Sequence, residues 1–134
     1  METINLCIDT NILIDFLKGR EPGADALARA LRGYQCSITA ITEYELLYGM
    51  AKAQRSIGEE ALTGALPVLS LDKKAASIAA HLHVNLIRRN QDIGIKDTLI
   101  AAICLNHAVP LLTANVKHFS RVDGLTVIDP TNWN

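Results

Sequence analysis

The stretch INLCIDTNILIDFLK, residues 4–18, combines the two patterns that decide the fold. Residues 4–8 form a short apolar run of the kind found in strands that are buried on both faces. The segment from Thr10 to Lys18 has helical character, and Asp9 stands between the two. A strand that leads directly into a helix is the repeating unit of parallel α/β sheets.

The same alternation of strand and helix continues along the chain. The four prolines fall at segment boundaries, and no stretch rich in Pro, Gly or Ser divides the sequence. We therefore predict one α/β domain over residues 1–134, with three layers (α/β/α) and a five-stranded, mainly parallel central sheet. Further strands are predicted over residues 36–40, 67–71, 110–113 and 125–128, and further helices over residues 24–31, 42–54, 59–66, 73–89 and 96–107.

The composition is that of an ordinary globular domain. The 134 residues are 49% hydrophobic and 20% charged, with a formal net charge of -1. A chain of this size buries enough surface to fold without disulfides or a structural metal, which excludes disordered and disulfide-dependent classes. A net charge near zero argues against a broad electrostatic grip on nucleic acid. It is compatible with a nucleic-acid enzyme whose positive charge comes from metal ions.

The cysteines and the hydropathy pattern indicate the cellular setting. Cys7, Cys36 and Cys104 lie far apart in apolar runs, which predicts buried reduced thiols. The chain has no window of about 20 apolar residues and no signal-peptide layout at its start. We therefore expect a cytoplasmic protein that does not enter a membrane.

Polar side chains follow the predicted strands, where the functional crevice of a parallel sheet lies. Asp72 and Asp129 fit simpler roles, as a helix cap and a turn residue. Glu45 fits a capping box with Thr42, and the sequence pattern leaves that role open beside a catalytic one. Asp97 opens the helix over residues 96–107, which is apolar all round and therefore buried.

Three of these acids form a more informative set. Asp9, Glu45 and Asp97 could converge on one crevice, and no neighbouring Arg or Lys in the sequence is expected to neutralise them. Clustered carboxylates repel each other unless a cation binds between them. A hard divalent ion with oxygen ligands, Mg²⁺ or Mn²⁺, is the natural candidate and points to phosphoryl chemistry.

Four blocks of the sequence resemble the PIN-domain ribonucleases of the VapC toxin type. They cover residues 8–14 (IDTNILI), 39–49 (TAITEYELLYG), 93–102 (IGIKDTLIAA) and 112–119 (LTANVKHF), and residues 119–125 resemble the last loop of that family. The resemblance implies a PIN-like fold and a Mg²⁺- or Mn²⁺-dependent endoribonuclease. It selects Glu45 over Glu43 as the acid after the second strand.

The resemblance also assigns the site residues. Asp9, Glu45, Asp97 and Asn115 are expected to be catalytic, with Asp9 and Asp97 holding the metal ion and with Thr10, Asn11 and Thr113 as supporting residues. Asn115 departs from the all-acidic version of the family and adds no charge, which puts a second metal ion in doubt. Apart from the resemblance, the basic stretch that follows Asn115, at Lys117, His118 and Arg121, fits either contacts with RNA phosphates or a solvated loop.

The implied partners are an RNA substrate, a VapB-type antitoxin that covers the acidic crevice, and a second copy in a homodimer. A candidate apolar docking surface, with burial in the core as its alternative, consists of Ile12, Leu13, Phe16, Leu17, Tyr44, Leu47, Tyr48 and Ala51.

Two other functions remain open at this point. The chain could be a catalytically inactive PIN-like module that binds RNA or a protein partner. A phosphatase of the haloacid-dehalogenase type also places an Asp after its first strand, but it needs a second Asp where this chain has Asn11.

Overall fold

A computed structural model describes residues 4–133 and contains one five-stranded sheet. All four strand pairings are parallel, and the strand order is β3-β2-β1-β4-β5. The predicted fold class is confirmed, and the sheet is wholly parallel. The strands are β1 (Asn5–Ile8), β2 (Gln35–Thr39), β3 (Val68–Leu69), β4 (Leu111–Leu112) and β5 (Val127–Ile128).

Seven helices connect and cover the strands within the described residues. Six of them match predicted helices, with bounds that differ by at most two residues. The seventh has four residues, too few for an apolar periodicity, and was not predicted. The helices are α1 (Thr10–Lys18), α2 (Gly23–Gly33), α3 (Ala40–Ala53), α4 (Glu59–Ala65), α5 (Lys73–Arg88), α6 (Ile95–His107) and α7 (Val116–Phe119).

The core has two parts, one on each face of the sheet. Leu6 and Ile8 of β1 pack into a cluster with α1 and α2, whereas Cys7 packs into a cluster with α5 and α6. Successive residues of a strand point to opposite faces, so one short strand supplies both clusters. The three-layer arrangement follows from this alternation.

Burial on both faces holds for the centre of the sheet but not for its edges. β1 and β4 are buried except at Asn5, while Val68 at the start of β3 is 38% exposed and β5 is only partly buried. The prediction that all five strands are buried on both faces is therefore wrong for β3 and β5. Each of these strands has a neighbour on one side only.

The start of α3 corrects the capping prediction for Glu45. Thr39 is the N-cap, and its Oγ1 accepts a hydrogen bond from the backbone N–H of Thr42 at 3.2 Å. Because the helix begins at Ala40, Thr42 already lies in its first turn and Glu45 has no capping role. By contrast, Asp72 caps α5 as predicted and accepts from Ala75 N at 2.8 Å.

The remaining predictions for the core are confirmed. Cys7, Cys36 and Cys104 are buried free thiols, and burial raises the pKa of Cys36 to about 11. Asp129 makes the predicted turn and accepts from Thr131 N at 2.9 Å. Between residues 4 and 133 no helix has the length and apolar character needed to cross a membrane.

Candidate active site

The candidate site lies where β1 and β4 end side by side. Asp9 follows β1 directly, and Thr113 follows β4. The sheet continues from β1 in both directions, towards β2 and towards β4. Such a point, where the strand order reverses, opens a crevice at the carboxyl ends of parallel strands.

The carboxylate of Asp9 is held in one orientation by three neighbouring residues. Its Oδ1 accepts from Thr10 N at 2.8 Å, and its Oδ2 accepts from Thr113 Oγ1 at 2.7 Å and from Asn11 Nδ2 at 3.1 Å. Asn11 also accepts from Ala114 N at 3.2 Å and so links the ends of β1 and β4. Thr10, Asn11 and Thr113 thus each donate a hydrogen bond to Asp9.

Burial makes Asp9 an unusual acid. Asp9 is only 4% exposed, and burial raises the pKa of its carboxyl group from 3.8 to about 6. The hydrogen bonds from Thr113 and Thr10 lower the pKa, while the nearby charges of Asp97 and Glu45 raise it further. Asp97 and Glu45 are therefore close enough to Asp9 for their charges to affect its ionisation.

A chain of hydroxyl groups fixes Glu45. Thr10 Oγ1 donates to Glu45 Oε1 at 2.8 Å and lies 3.0 Å from Thr42 Oγ1. Since the single hydroxyl proton of Thr10 goes to Glu45, Thr42 must donate to Thr10. Thr42 is completely buried. The hydroxyl of Thr42 is a supporting contact that sequence reasoning missed, because the T-x-x-E spacing suggested a helix cap.

Asn115 joins Asp97 to His118. The amide Nδ2 of Asn115 lies 3.2 Å from Asp97 Oδ2 and 2.9 Å from His118 Nδ1. His118 Nδ1 itself lies 3.4 Å from Asp97 Oδ2. The two amide hydrogens can serve both acceptors at once. Asn115 therefore acts here as a donor to the acid at the start of α6.

Lys96 corrects the expectation that no basic residue neighbours the acids. Its Nζ lies 4.0 Å from Glu45 Oε2. The contact joins the first turn of α6 to α3, two helices whose proximity the sequence did not reveal. The three acids are thus partly balanced before any metal ion binds.

The basic residues of the α7 region have different surroundings. Lys117 is exposed, and His118 faces Asp97. Arg121 Nη1 donates to the carbonyl of Asp92 at 3.2 Å, and Arg121 O accepts from Arg89 Nη2 at 3.0 Å. The guanidinium of Arg121 therefore braces the loop before α6 against the loop after α7.

A cavity of about 300 Å³ opens beside the site, between α1, α3 and α4. Leu17, Leu46 and Ile57 line it together with the carboxylates Glu45 and Glu59. We call it the α1–α3 groove.

The predicted apolar docking surface is only partly exposed. Ile12 and Leu13 are completely buried in the core, so their inclusion in that surface is wrong. Phe16, Tyr44 and Tyr48 remain more than one-third exposed.

The donor atoms of the site fit a hard divalent cation. Asp9, Glu45 and Asp97 offer carboxylate oxygens, the ligands that Mg²⁺ and Mn²⁺ prefer. Burial is the main reason why the pKa of Asp9 is raised, and the charges of Asp97 and Glu45 add to it, so a bound cation would favour the ionised carboxylate. Within residues 4–133, no group of three or more His, Cys, Asp or Glu side chains is arranged so that it could hold a metal ion. Mg²⁺ usually keeps several water ligands and binds through one or two carboxylates.

Residues 6–125 match the family model of the PIN domain. The chain belongs to the PIN-domain family. Ribonuclease VapC3 of Methanocaldococcus jannaschii is 33% identical over 96 residues, which are 72% of this chain and 94% of that protein. The tRNA(fMet)-specific endonuclease VapC of Shigella flexneri is 28% identical over 130 residues, or 94% of this chain and 98% of that protein.

Solved structures of PIN-domain complexes share the fold. VapBC-1 from nontypeable Haemophilus influenzae superimposes with a TM-score of 0.82 at 26% identity, over 96% of this chain and 100% of that one. The DNA-bound VapBC complex from Salmonella typhimurium gives a TM-score of 0.79 at 25% identity, over 96% and 99% of the two chains. The resemblance in sequence is thus confirmed at the level of family and fold.

Membership of the PIN family removes the phosphatase alternative. The residue that such a phosphatase would need as a second acid is Asn11, whose amide donates to Asp9. The catalytic roles of Asp9, Glu45, Asp97 and Asn115 stay predictions. The structure places these four residues around the same crevice.

Proposed function

We propose that this PIN-domain protein is a metal-dependent endoribonuclease and the toxin of a VapBC-type toxin–antitoxin pair. The observation that carries the proposal is the buried carboxyl of Asp9, fixed by three donors and close to the charges of Asp97 and Glu45. The relatives named as ribonuclease and endonuclease support it, since they align along most of the chain.

Asp9 and Asp97 would hold a Mg²⁺ or Mn²⁺ ion. When bound, such an ion supplies neutralisation of the phosphate charge and a lower pKa for a water molecule in its shell. Asp9 needs no reorientation to serve as a ligand, because Thr10, Asn11 and Thr113 already fix its carboxylate. Asn115 orients Asp97 through its amide.

Glu45 is the best placed residue to take a proton from the attacking water. Its Oε1 accepts from the hydroxyl of Thr10, and its Oε2, which lies 4.0 Å from Lys96 Nζ, would be the oxygen that takes the proton. In the net reaction a water oxygen bonds to the phosphorus of the RNA phosphodiester while the bond from phosphorus to the 3′ oxygen breaks. The 3′ oxygen takes up a proton, so the products carry 5′-phosphate and 3′-hydroxyl ends.

RNA would reach the site past α7. Lys117 is exposed two residues after Asn115 and can contact phosphates of the substrate, and His118 lies next to Asp97. Arg121 contributes by bracing the neighbouring loop, because its guanidinium is already bound to the carbonyl of Asp92.

The α1–α3 groove is our candidate for the docking site of a VapB-type antitoxin. Its apolar lining suits side chains of an amphipathic segment, and its charged residues, the acids Glu45 and Glu59 and the bases Lys18 and Arg55, suit a segment with charges of both signs. A partner seated there would cover Glu45. The contact that binds the antitoxin would therefore also inhibit the nuclease.

For a homodimer, the exposed pair Tyr44 and Tyr48 offers a second surface on α3. Their rings stack with centroids 5.8 Å apart. Light scattering of the wild type and of the Tyr48→Ser variant tests whether this pair lies between two copies. A dimer that survives the substitution unchanged would place the interface elsewhere.

The activity is tested by incubating the purified protein with a mixed pool of cellular RNA. We expect cleavage with Mn²⁺ and none with EDTA or with the Asp9→Asn and Asp97→Asn variants. Asp123→Asn is the matched control, because the Asp123 side chain is 92% exposed outside the site. All four proteins should show the same circular dichroism spectrum.

Two outcomes would contradict the proposal. Cleavage that persists in Asp97→Asn would remove the carboxylates from the mechanism. An absence of cleavage in every wild-type sample, including protein that has been denatured and refolded to release a bound inhibitor, would favour the inactive binding module.

A further inference from the structure

The charge and contacts of Lys96 give it a place inside the site, and the inference drawn here rests on the proposed metal-dependent function. Lys96 precedes Asp97 in the first turn of α6, and its Nζ lies 4.0 Å from Glu45 Oε2. The other oxygen of Glu45 is bound to Thr10. Lys96 therefore places a positive charge beside the oxygen of Glu45 that Thr10 does not occupy.

The charges of the site favour a single ion. Asp9, Glu45 and Asp97 carry three negative charges when ionised, and the ammonium group of Lys96 leaves two of them unbalanced. Asn115 adds none. One divalent ion is then sufficient to neutralise the site, whereas a second one would create an excess of positive charge in a partly buried place.

The contacts of Asn115 lead to the same conclusion. A second ion shared between Asp97 and residue 115 would need acceptor atoms at both positions. Here the Nδ2 of Asn115 lies 3.2 Å from Asp97 Oδ2 and occupies that oxygen with a hydrogen donor. The amide is fixed further by His118 Nδ1 at 2.9 Å.

We propose that Lys96 serves as the second cation of this site, so that the site binds one divalent ion and Lys96 contacts the phosphate of the substrate. The ammonium group has the freedom to do so, because the side chain of Lys96 is 56% exposed while that of Glu45 is only 24% exposed. Lys96 holds Glu45 in the free protein and turns to the phosphate when RNA is bound.

The first test counts bound Mn²⁺ by electron paramagnetic resonance and calorimetry. We expect one ion per chain in the wild type and two in the double variant Lys96→Gln/Asn115→Asp. The matched control Lys74→Gln/Asn115→Asp has the same net charge but keeps Lys96. In that control we expect the second ion to bind about tenfold more weakly than in the double variant.

The second test measures RNA cleavage at limiting Mn²⁺. Lys96→Gln should cleave at least about tenfold more slowly than the wild type, because a positive group near the phosphate is lost. Lys96→Arg should retain most of the activity. Lys96 is exposed, so thermal unfolding should be the same for all three proteins.

The outcomes separate the inference from the proposed function. Two Mn²⁺ ions in the wild type, or cleavage by Lys96→Gln at the wild-type rate, would overturn the role of Lys96 and leave a metal-dependent ribonuclease. No bound Mn²⁺ in the wild type would overturn both.

Discussion

Asp9 shows how the fold keeps a carboxyl group in an unfavourable environment. Burial raises its pKa from 3.8 to about 6 although Thr113 and Thr10 donate hydrogen bonds to it. A shift of this size corresponds to about 3 kcal/mol of preference for the protonated form. Without a bound cation, the neutral carboxyl of Asp9 therefore predominates in the folded protein only below about pH 6.

This preference predicts a pH dependence of stability in the metal-free protein. The folded state holds the proton of Asp9 more tightly than the unfolded state, so stability falls as the pH rises from 3.8 to about 6. Asn in this position does not ionise. We expect the free energy of unfolding of the wild type, relative to Asp9→Asn, to fall by about 3 kcal/mol over that window.

Urea denaturation in EDTA at a series of pH values provides the measurement. The difference between the two proteins removes the contribution of other acids, such as Asp92 and Asp129, whose pKa values are lowered. Mg²⁺ at neutral pH should raise the stability of the wild type more than that of Asp9→Asn. If the unfolding free energies of the wild type and of Asp9→Asn change in parallel with pH, the pKa of Asp9 is not raised in the folded protein.

The hydroxyl of Thr10 allows a second prediction at this scale. Thr10→Val keeps the shape of the side chain but removes the donor to Glu45 Oε1 and the acceptor for Thr42. We expect cleavage to slow by about tenfold or more through misplacement of Glu45. Stability should fall by about 1 kcal/mol because Thr42 loses a partner.

Thr10→Ser keeps the hydroxyl and is the control. Steady-state cleavage and urea denaturation of the three proteins give the two quantities. If Thr10→Ser is as slow as Thr10→Val, the lost methyl group is responsible and the hydroxyl chain has no role.

Individual residues show what the sequence could and could not predict about the site. The position of Asp9 at the end of a strand was predictable from the local pattern, whereas Asn11 and Thr113 were singled out only by the resemblance to the PIN-domain ribonucleases. The contact of Lys96 with Glu45 and that of His118 with Asp97 were not predictable. Each joins side chains of two helices, and the angle between helices is not encoded in any local pattern.

Among the helices that carry the site, α1 and α3 begin at side-chain caps, Asp9 and Thr39. Thr39 fixes the start of α3 three residues earlier than the T-x-x-E pattern suggested, and this places Glu45 in the second turn, facing Thr10. The long apolar run of α6 was a stronger signal. It predicted both a buried helix and an acid at its start.

The cap of α5 gives a prediction at the element scale. Asp72 accepts from Ala75 N at 2.8 Å, so Asp72→Ala should lower the free energy of unfolding by about 1 kcal/mol. Asp72→Asn can still cap and should cost much less. Urea denaturation at neutral pH compares the two variants. An equal loss in both would attribute the effect to the charge of Asp72 or to its contact with Asn106.

For the whole molecule, the sequence predicted a parallel sheet but not the order of its strands. The order depends on which strands pair over long separations, and the short runs at β3, β4 and β5 contain no information on their neighbours. β1 lies at the centre with β2 on one side and β4 on the other. This order, more than any single motif, brings Asp9 next to Thr113.

Phe119 connects the core to the site across the whole molecule. Its side chain at the end of α7 is completely buried in the cluster with α5 and α6. Phe119→Ala should cost about 3–5 kcal/mol of stability. Because α7 also begins at Asn115, we expect the remaining folded protein to bind Mn²⁺ more weakly.

Thermal unfolding and Mn²⁺ titration of this variant give the two results. Val122→Ala removes a smaller side chain from the same cluster, outside α7, and serves as the control. Equal Mn²⁺ affinity in Phe119→Ala and Val122→Ala would show that α7 does not position the site.

The hydrogen bond between Asp9 and Thr113 spans 104 positions of the chain. During synthesis the ribosome delivers β1 and Asp9 first, and the nascent polypeptide must grow past α7 before Thr113 and Asn115 can meet them. Domains fold as units while they emerge. Nuclease activity can therefore come only from chains in which β4 has been made and has docked beside β1.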